Sequence, residues 1–174
     1  MGYVTDYQRS LIGAVGPVRT APSPVSADSI RRFVQAAMID DPIHWSEEAA
    51  AEAGYPGIVA PPLYPLNAMR RGSGEPDPLD ALHDNPDWDG AGESTPQGLP
   101  ALDIPLHRML NGGVSAEFFR LAEIGDVISS QAKYADIADR AGRSGDFVTF
   151  TIETEYRNQK HELLARTRST VILR

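Results

Sequence analysis

The chain has 174 residues, of which 41% are hydrophobic, and it carries a formal net charge of −8 at pH 7. This length predicts one domain, and the negative charge with scattered Lys and Arg argues against binding to nucleic acid. The lack of cysteine excludes disulfides, thiolate nucleophiles and Cys-ligated metals, which fits a cytoplasmic protein. No apolar run approaches the roughly 20 residues of a membrane helix, and no signal-peptide pattern is present, so we expect no membrane contact.

The first half of the chain is predicted to be helical. Ser26 is a suitable N-cap for an amphipathic helix that ends before Pro42. Ser46 and Gly54 bound a second, short helix, and we interpret its glutamates as a solvated face: Glu47, Glu48 and Glu52. A third helix is predicted to begin at the prolines of residues 61–62.

Residues 72–100 form a separate block that is rich in Gly, Pro and Asp. We expect an insertion that lies over the surface, with one helical turn near Leu79–His83. The segment from Asn85 to Gly90 is similar to the start of a calcium loop. Its twelfth position is Pro96 rather than Glu, so the bidentate ligand is absent and a plain loop is the better interpretation.

The last third of the chain is predicted to form strands. Alternation of side chains begins at Val114–Phe118 and continues through Val127–Ile137, Phe147–Tyr156 and Leu163–Leu173. Turns are expected at 123–126, 142–146 and 158–162, and a bulge at 111–113. Three or four long antiparallel strands after a buried helix predict an α+β fold in which the sheet wraps around that helix.

The stretch from Met38 to Pro62 holds the residues best suited to proton transfer. Asp40, Asp41 and His44 lie close together, and a carboxylate beside an imidazole can move protons near neutral pH. The residues alone also allow His44 to be a buried or capping histidine, and either acid to be a helix cap. No HExxH spacing supports a metal site, and no G-x-S-x-G elbow supports a serine hydrolase.

The order of these segments resembles the MaoC-like hydratase/dehydratase family, in its fatty-acid-synthase-like dehydratase branch with a single N-terminal-type hot-dog domain. The similar motifs are DDPIH, EEAAAEAGYPGIVAPP, IGDVI and YRNQKHELLARTRSTVIL, and the resemblance covers about residues 8–71 and 105–173. It implies a hot-dog fold, with a sheet curled around a long central helix at Pro62–Arg71. It also implies reversible hydration of a trans-2-enoyl thioester of CoA or acyl-carrier protein, with no cofactor or metal, in a homodimer or heterodimer with another hot-dog subunit.

In the family, an Asp and a His five residues later share the proton transfer. His44 matches the His, but Ile39 stands five residues before it, so Asp40 is the first candidate for the acid and Asp41 the second. Active members carry His-Gly at the start of the central helix, where an amide binds the thioester oxygen. The corresponding pair here is Ala60-Pro61, as in non-catalytic partner subunits, and proline has no N–H.

Seven further residues are expected to bind the acyl thioester or line its tunnel: Tyr55, Gly57, Ala60, Tyr64, Asn67, Gly112 and Gly113. Three functions remain open at this point. The chain is either an enoyl-thioester hydratase/3-hydroxyacyl dehydratase or the substrate-binding subunit of a heteromeric one. An acyl-CoA thioesterase is a further alternative on the same fold.

Overall fold

The computed structural model describes residues 2–75, 80, 85, 96–143 and 145–174. The predicted turn at 79–83 and the calcium-like segment at 85–90 therefore fall outside the described residues, except for positions 80 and 85. The helices are α1 (Asp6–Ser10), α2 (Ala27–Ala37), α3 (Glu47–Glu52) and α4 (Tyr64–Ala68), with 3-10 turns at Pro42–His44 and Pro96–Gly98. The strands are β1 (Arg19–Thr20), β2 (Met109–Phe118), β3 (Ser129–Arg140), β4 (Phe147–Arg157) and β5 (Leu163–Leu173).

The five strands form one antiparallel sheet in the order β1-β3-β4-β5-β2. The four long strands lie where alternation predicted them, and the turns at 123–126, 142–146 and 158–162 are also present. The strand β2 crosses over to pair with β5. This arrangement is the α+β architecture that the sequence predicted.

The predicted helix caps at Ser26, Ser46 and Gly54 are confirmed. The Ser26 hydroxyl accepts the Ser29 amide, and Met38 ends α2 in the left-handed conformation. Ser46 caps α3 by accepting the Ala49 amide, and Gly54 follows that helix at φ +87°, a conformation that glycine adopts without a Cβ clash.

The central helix is shorter than the predicted Pro62–Arg71, since α4 covers only Tyr64–Ala68. The prolines at 61, 62 and 65 remove three amide donors, and the backbone leaves the helical conformation at Met69. Its buried residues still fill one half of the concave face of the sheet, against α2 and an apolar cluster that includes Ile128, Tyr156 and Leu164.

The other half of the concave face is covered by residues 99–106, at the end of the insertion and directly after it. Leu99 is only 2% exposed and packs with Tyr134 and Phe150, and the Tyr134 hydroxyl donates to the Pro100 carbonyl at 2.8 Å. The prediction that the whole block at 72–100 lies over the surface is therefore wrong at its end. Leu99 stands between Gly98 and Pro100, outside any predicted helix or strand, so no periodicity indicated its burial.

The outer face of the sheet carries a row of paired charges. The Glu153 side chain is 5% exposed and bonds Lys133 at 2.8 Å and Arg168 at 2.7 Å on the two neighbouring strands. The hydrogen bond from Lys133 is the main reason that the pKa of Glu153 lies below its ordinary value, with Arg168 assisting against the opposing effect of burial. Opposite charges across adjacent strands stabilise this pairing register.

The strand β2 forms an edge of the sheet, and nine of its ten residues are exposed. The predicted bulge is confirmed, because the register shifts between Asn111 and Gly113. Gly113 has φ +115°, and a side chain on Gly112 would meet Thr170 at 3.0 Å. None of the helices that the structure describes is long and apolar enough to cross a membrane.

Candidate functional site

The loop between α2 and α3 is held by its own side chains. The Asp41 carboxylate accepts the Ile43 amide and so caps the 3-10 turn that begins at Pro42. The Trp45 indole donates to the Ile39 carbonyl at 2.9 Å, which closes the loop at its other end. These local bonds place His44 at the end of the turn with its side chain turned inward, and the residue is only 5% exposed.

The imidazole of His44 is bonded to a main-chain carbonyl from the next segment. Its Nδ1 lies 2.7 Å from the Val59 oxygen. Because a carbonyl can only accept, Nδ1 must donate, and the neutral ring then carries its lone pair on Nε2. No residue in the described part of the chain is found bonded to Nε2. This tautomer suits a general base, since the nitrogen that accepts a proton is the one left for water or substrate.

The peptide between Val59 and Ala60, whose carbonyl accepts from His44, is also bonded to the segment between β2 and β3. The Ala60 amide donates to the Ala122 carbonyl at 2.8 Å, and Val59 forms an antiparallel bridge with Glu123. The Ala60 N–H is therefore not available to a ligand, and the next two residues are prolines. The segment directly before α4 therefore offers no amide donor at positions 60–62 for a thioester oxygen.

The structure does not bring either predicted acid to the imidazole. Asp40 is exposed, and no hydrogen bond joins its carboxylate or that of Asp41 to His44 in the described part of the chain. Asp41 serves as the cap of the 3-10 turn. The catalytic roles of both acids thus stay predictions. The described residues also contain no group of three or more His, Asp or Glu side chains placed to hold a metal ion.

The predicted binding residues lie in different environments. Tyr64 is 3% exposed, donates its hydroxyl to Ser29 at 2.6 Å, and packs edge-on against Phe33 at 5.6 Å between ring centroids. It borders a polar cavity of about 210 Å³ beside the start of α2. Tyr55 is half-buried and Asn67 exposed. The glycines of residues 112–113 form the bulge of β2. A role in substrate binding stays a prediction for all of them.

Glu47 and Gly57 make a contact near His44 that the sequence did not predict. The Glu47 carboxylate accepts the Ile58 amide at 3.2 Å, although its helix was interpreted as a solvated face. A side chain on Gly57 would come within 2.8 Å of that carboxylate. The contact joins residues eleven positions apart, so helical periodicity cannot predict it. Gly57 is the feature of the sequence that could have indicated a close approach of another group at this point.

Comparison of the chain with known proteins identifies relatives along most of its length. The family described as "FAS1-like, dehydratase domain region" matches residues 10–167. A UPF0336 protein of Saccharopolyspora erythraea is 27% identical over 150 residues, which are 86% of this chain and 81% of the relative.

Solved structures share the fold. The ChsH1-ChsH2 complex from Mycobacterium tuberculosis contains a chain that superposes with a TM-score of 0.67 at 20% identity, covering 92% of this chain and 84% of that one. A MaoC-like dehydratase from Rhodospirillum rubrum superposes with a TM-score of 0.59 at 18% identity, covering 93% and 91%. The predicted hot-dog fold is confirmed, because the chain superposes on these two structures over 92% and 93% of its length.

Proposed function

The chain belongs to the FAS1-like dehydratase domain-region family of MaoC-like hot-dog proteins, and from this premise we propose that it hydrates an enoyl thioester or dehydrates the corresponding 3-hydroxyacyl thioester. The substrate is an acyl group on CoA or acyl-carrier protein in the cytoplasm. The observation that carries the proposal is the hydrogen bond between His44 Nδ1 and the Val59 oxygen.

In this reaction, His44 Nε2 removes a proton from water as the water oxygen attacks C3 of the enoyl thioester. The C2–C3 double bond opens toward the thioester carbonyl, whose oxygen gains negative charge. The imidazolium of His44 then gives up the proton taken from water, which is delivered to C2, so that water is added overall and His44 returns to its neutral form. The Val59 carbonyl also stabilises the ring while it is positively charged, because it accepts from Nδ1–H in both protonation states.

A second candidate function is favoured by the start of α4. Charge on the thioester oxygen needs donors placed in advance, yet the Ala60 amide is bonded to Ala122, and Pro61 and Pro62 have no N–H. A subunit without these donors is suited to holding substrate while a partner hot dog performs the chemistry. Under this proposal the chain binds the acyl thioester and completes a heteromeric dehydratase.

The edge strand β2 supports association with another hot-dog subunit under either function. Its exposed residues include Met109, Val114 and Phe118, which are 51%, 62% and 44% exposed. An exposed edge of ten residues presents unpaired backbone groups to a second strand. The proposed partner is a copy of this chain or a related hot dog that joins its sheet along β2.

The test is the hydration of crotonyl-CoA, monitored through the loss of absorbance of its conjugated enoyl group. Activity in the purified wild type that disappears in folded His44→Ala establishes the hydratase. Activity that appears only when a second MaoC-like subunit is added, and that persists in His44→Ala, establishes the binding subunit. Release of free thiol without hydration would show a thioesterase and contradict both.

A further inference from the structure

The segment that carries His44 and the segment that carries Val59 are joined at two points. The first is the hydrogen bond from His44 Nδ1 to the Val59 oxygen at 2.7 Å. The second is the hydrogen bond from the Ile58 amide to Glu47 Oε2 at 3.2 Å. Glu47 follows His44 by three residues, and Ile58 directly precedes Val59. The two bonds therefore run side by side between the same pair of segments.

The bond from Ile58 to Glu47 gives the two segments a second contact beside the bond from His44 to Val59. Two contacts restrict rotation of one segment relative to the other more than one contact does. The Ala60 amide belongs to the same peptide unit as the Val59 carbonyl, and its bond to Ala122 holds that unit directly. The bond to Glu47 holds the peptide between Gly57 and Ile58, which lies two units earlier in the chain. Together the two bonds restrain the direction of the Val59 carbonyl, which sets the orientation of the imidazole.

Gly57 leaves the space that this arrangement requires. A Cβ on residue 57 would lie 2.8 Å from Glu47 Oε2, 3.8 Å from its Cδ and 3.9 Å from Oε1. All three atoms belong to the end of a flexible, exposed side chain. Alanine at this position is thus compatible with the fold, but it displaces the carboxylate from the Ile58 amide.

We propose that Glu47 is a positioning residue for His44, acting through the Ile58 amide and the Val59 carbonyl, and that Gly57 is present to admit its carboxylate. This inference rests on the proposed function for its catalytic consequence. Its structural content concerns the imidazole alone, so it can be tested in a protein whose substrate is unknown.

The first measurement is the tautomer of His44 in the 174-residue protein labelled with nitrogen-15, at about pH 8.5, above the range in which histidine side chains usually change charge. A protonated and an unprotonated ring nitrogen resonate far apart, and comparison with His44→Ala identifies the signals of His44. The wild type is expected to show one tautomer, with the proton on Nδ1. Glu47→Ala and Gly57→Ala are each expected to show a mixture with the Nε2–H form.

Three further variants distinguish positioning from a general loss of structure. Glu47→Gln keeps an oxygen that can accept the Ile58 amide and should retain the wild-type tautomer. Glu48→Ala changes the neighbouring glutamate, which accepts from the Ser46 hydroxyl and not from the Ile58 amide. This variant should also keep the wild-type tautomer. The double variant Glu47→Ala/Gly57→Ala should show the same tautomer ratio as Glu47→Ala. The reason is that alanine at position 57 acts only by displacing the Glu47 carboxylate, which is already absent.

Where hydration is measurable, Glu47→Ala and Gly57→Ala should lower kcat by about 2- to 12-fold, the factor expected for one hydrogen bond, with KM little changed. If both variants keep a pure Nδ1–H tautomer, the inference is overturned. If Glu47→Gln behaves as Glu47→Ala does, the proposed amide contact is also contradicted. A wild type that hydrates no thioester contradicts the proposed hydratase function, while the tautomer measurement still decides the role of Glu47.

Discussion

His44 Nδ1 lies 2.7 Å from the main-chain oxygen of Val59, across 15 positions of the sequence. The bond connects the capped 3-10 turn after α2 to the extended segment before α4. Its chemical consequence is that the proton of the neutral ring stays on Nδ1 and the lone pair on Nε2. The sequence pattern allows His44 to be either a core histidine or a catalytic one. The bond to Val59 gives it the tautomer that a general base needs.

Replacement of His44 by alanine should remove hydration while the fold survives. Loss of a general base typically lowers the rate by about 10²–10⁴-fold, and kcat should fall within that range. His107→Ala is the matched control, because His107 is exposed and outside the site. Full activity in His44→Ala, or equal losses in both variants, would contradict the catalytic assignment.

Restoring an amide at the start of α4 separates the two proposed functions. Pro61→Ala adds an N–H where a thioester-oxygen donor is missing, and a donor of this kind is worth about 10²–10³-fold in kcat. In a working hydratase we expect kcat to rise by up to about 10²-fold, with stability lower by about 1 kcal/mol from added freedom in the unfolded chain. Steady-state kinetics and thermal unfolding measure these two effects.

The control for this change is Pro24→Ala, which adds an amide in an exposed loop before α2 and should leave kcat unaltered. A binding subunit should show no activity in Pro61→Ala without its partner. That outcome would oppose the catalytic function and favour the second candidate.

Charge on β2 should weaken association along the sheet edge. Val114→Lys places an ammonium in the middle of the exposed strand, where a second strand would bury it. Light scattering should then report a lower molar mass than for the wild type. Val18→Lys is matched to it, because both valines are 62% exposed and Val18 lies outside β2. Equal masses for wild type and Val114→Lys would place the interface elsewhere.

The buried carboxylate of Glu153 should make stability depend on pH in the acid range. Its pKa is held below the ordinary 4.5, first by Lys133 and then by Arg168. The folded protein thus binds this proton less readily than the unfolded chain does. The stabilisation is therefore complete above the ordinary value and is lost as the pH falls through the lowered value.

Glu153→Gln should reduce the free energy of unfolding by about 1–2 kcal/mol at pH 7, and the difference from wild type should narrow below about pH 4.5. Urea unfolding at several pH values measures this. Glu117→Gln is the control, because Glu117 is exposed and pairs only at the surface with Arg166, so its effect should stay within about 0.5 kcal/mol. A constant difference between Glu153→Gln and wild type down to low pH would refute the linkage.

Truncation of Leu99 should destabilise the protein as a core substitution does. The side chain is 2% exposed against the concave face of the sheet, and Leu→Ala at such sites costs about 2–5 kcal/mol. Denaturant unfolding should show this loss. Ala101→Gly, at an exposed position two residues later, should cost about 1 kcal/mol or less. A similarly small effect at Leu99 would mean that the segment does not stabilise the core.

Local features of the fold were predictable because they depend on neighbouring residues. Ser26 and Ser46 cap their helices, Gly54 ends α3, and the alternation at Leu163–Leu173 gives β5 with its observed bounds. The bulge at Asn111–Gly113 was predictable for the same reason. The site was predictable only as far as His44, whose neighbourhood in the sequence contains the two acids.

The sequence by itself determined the long strands, the caps at Ser26, Ser46 and Gly54, and the family, and it indicated His44 as the candidate for proton transfer. Tertiary structure decided that His44 bonds Val59, that Glu47 bonds Ile58, that Leu99 is buried, and that β2 lies at an edge beside β5. Caps and periodicity arise from contacts within a few residues, so the local sequence encodes them. Contacts between segments 11 or 15 positions apart, and the order of strands, depend on how the whole chain packs.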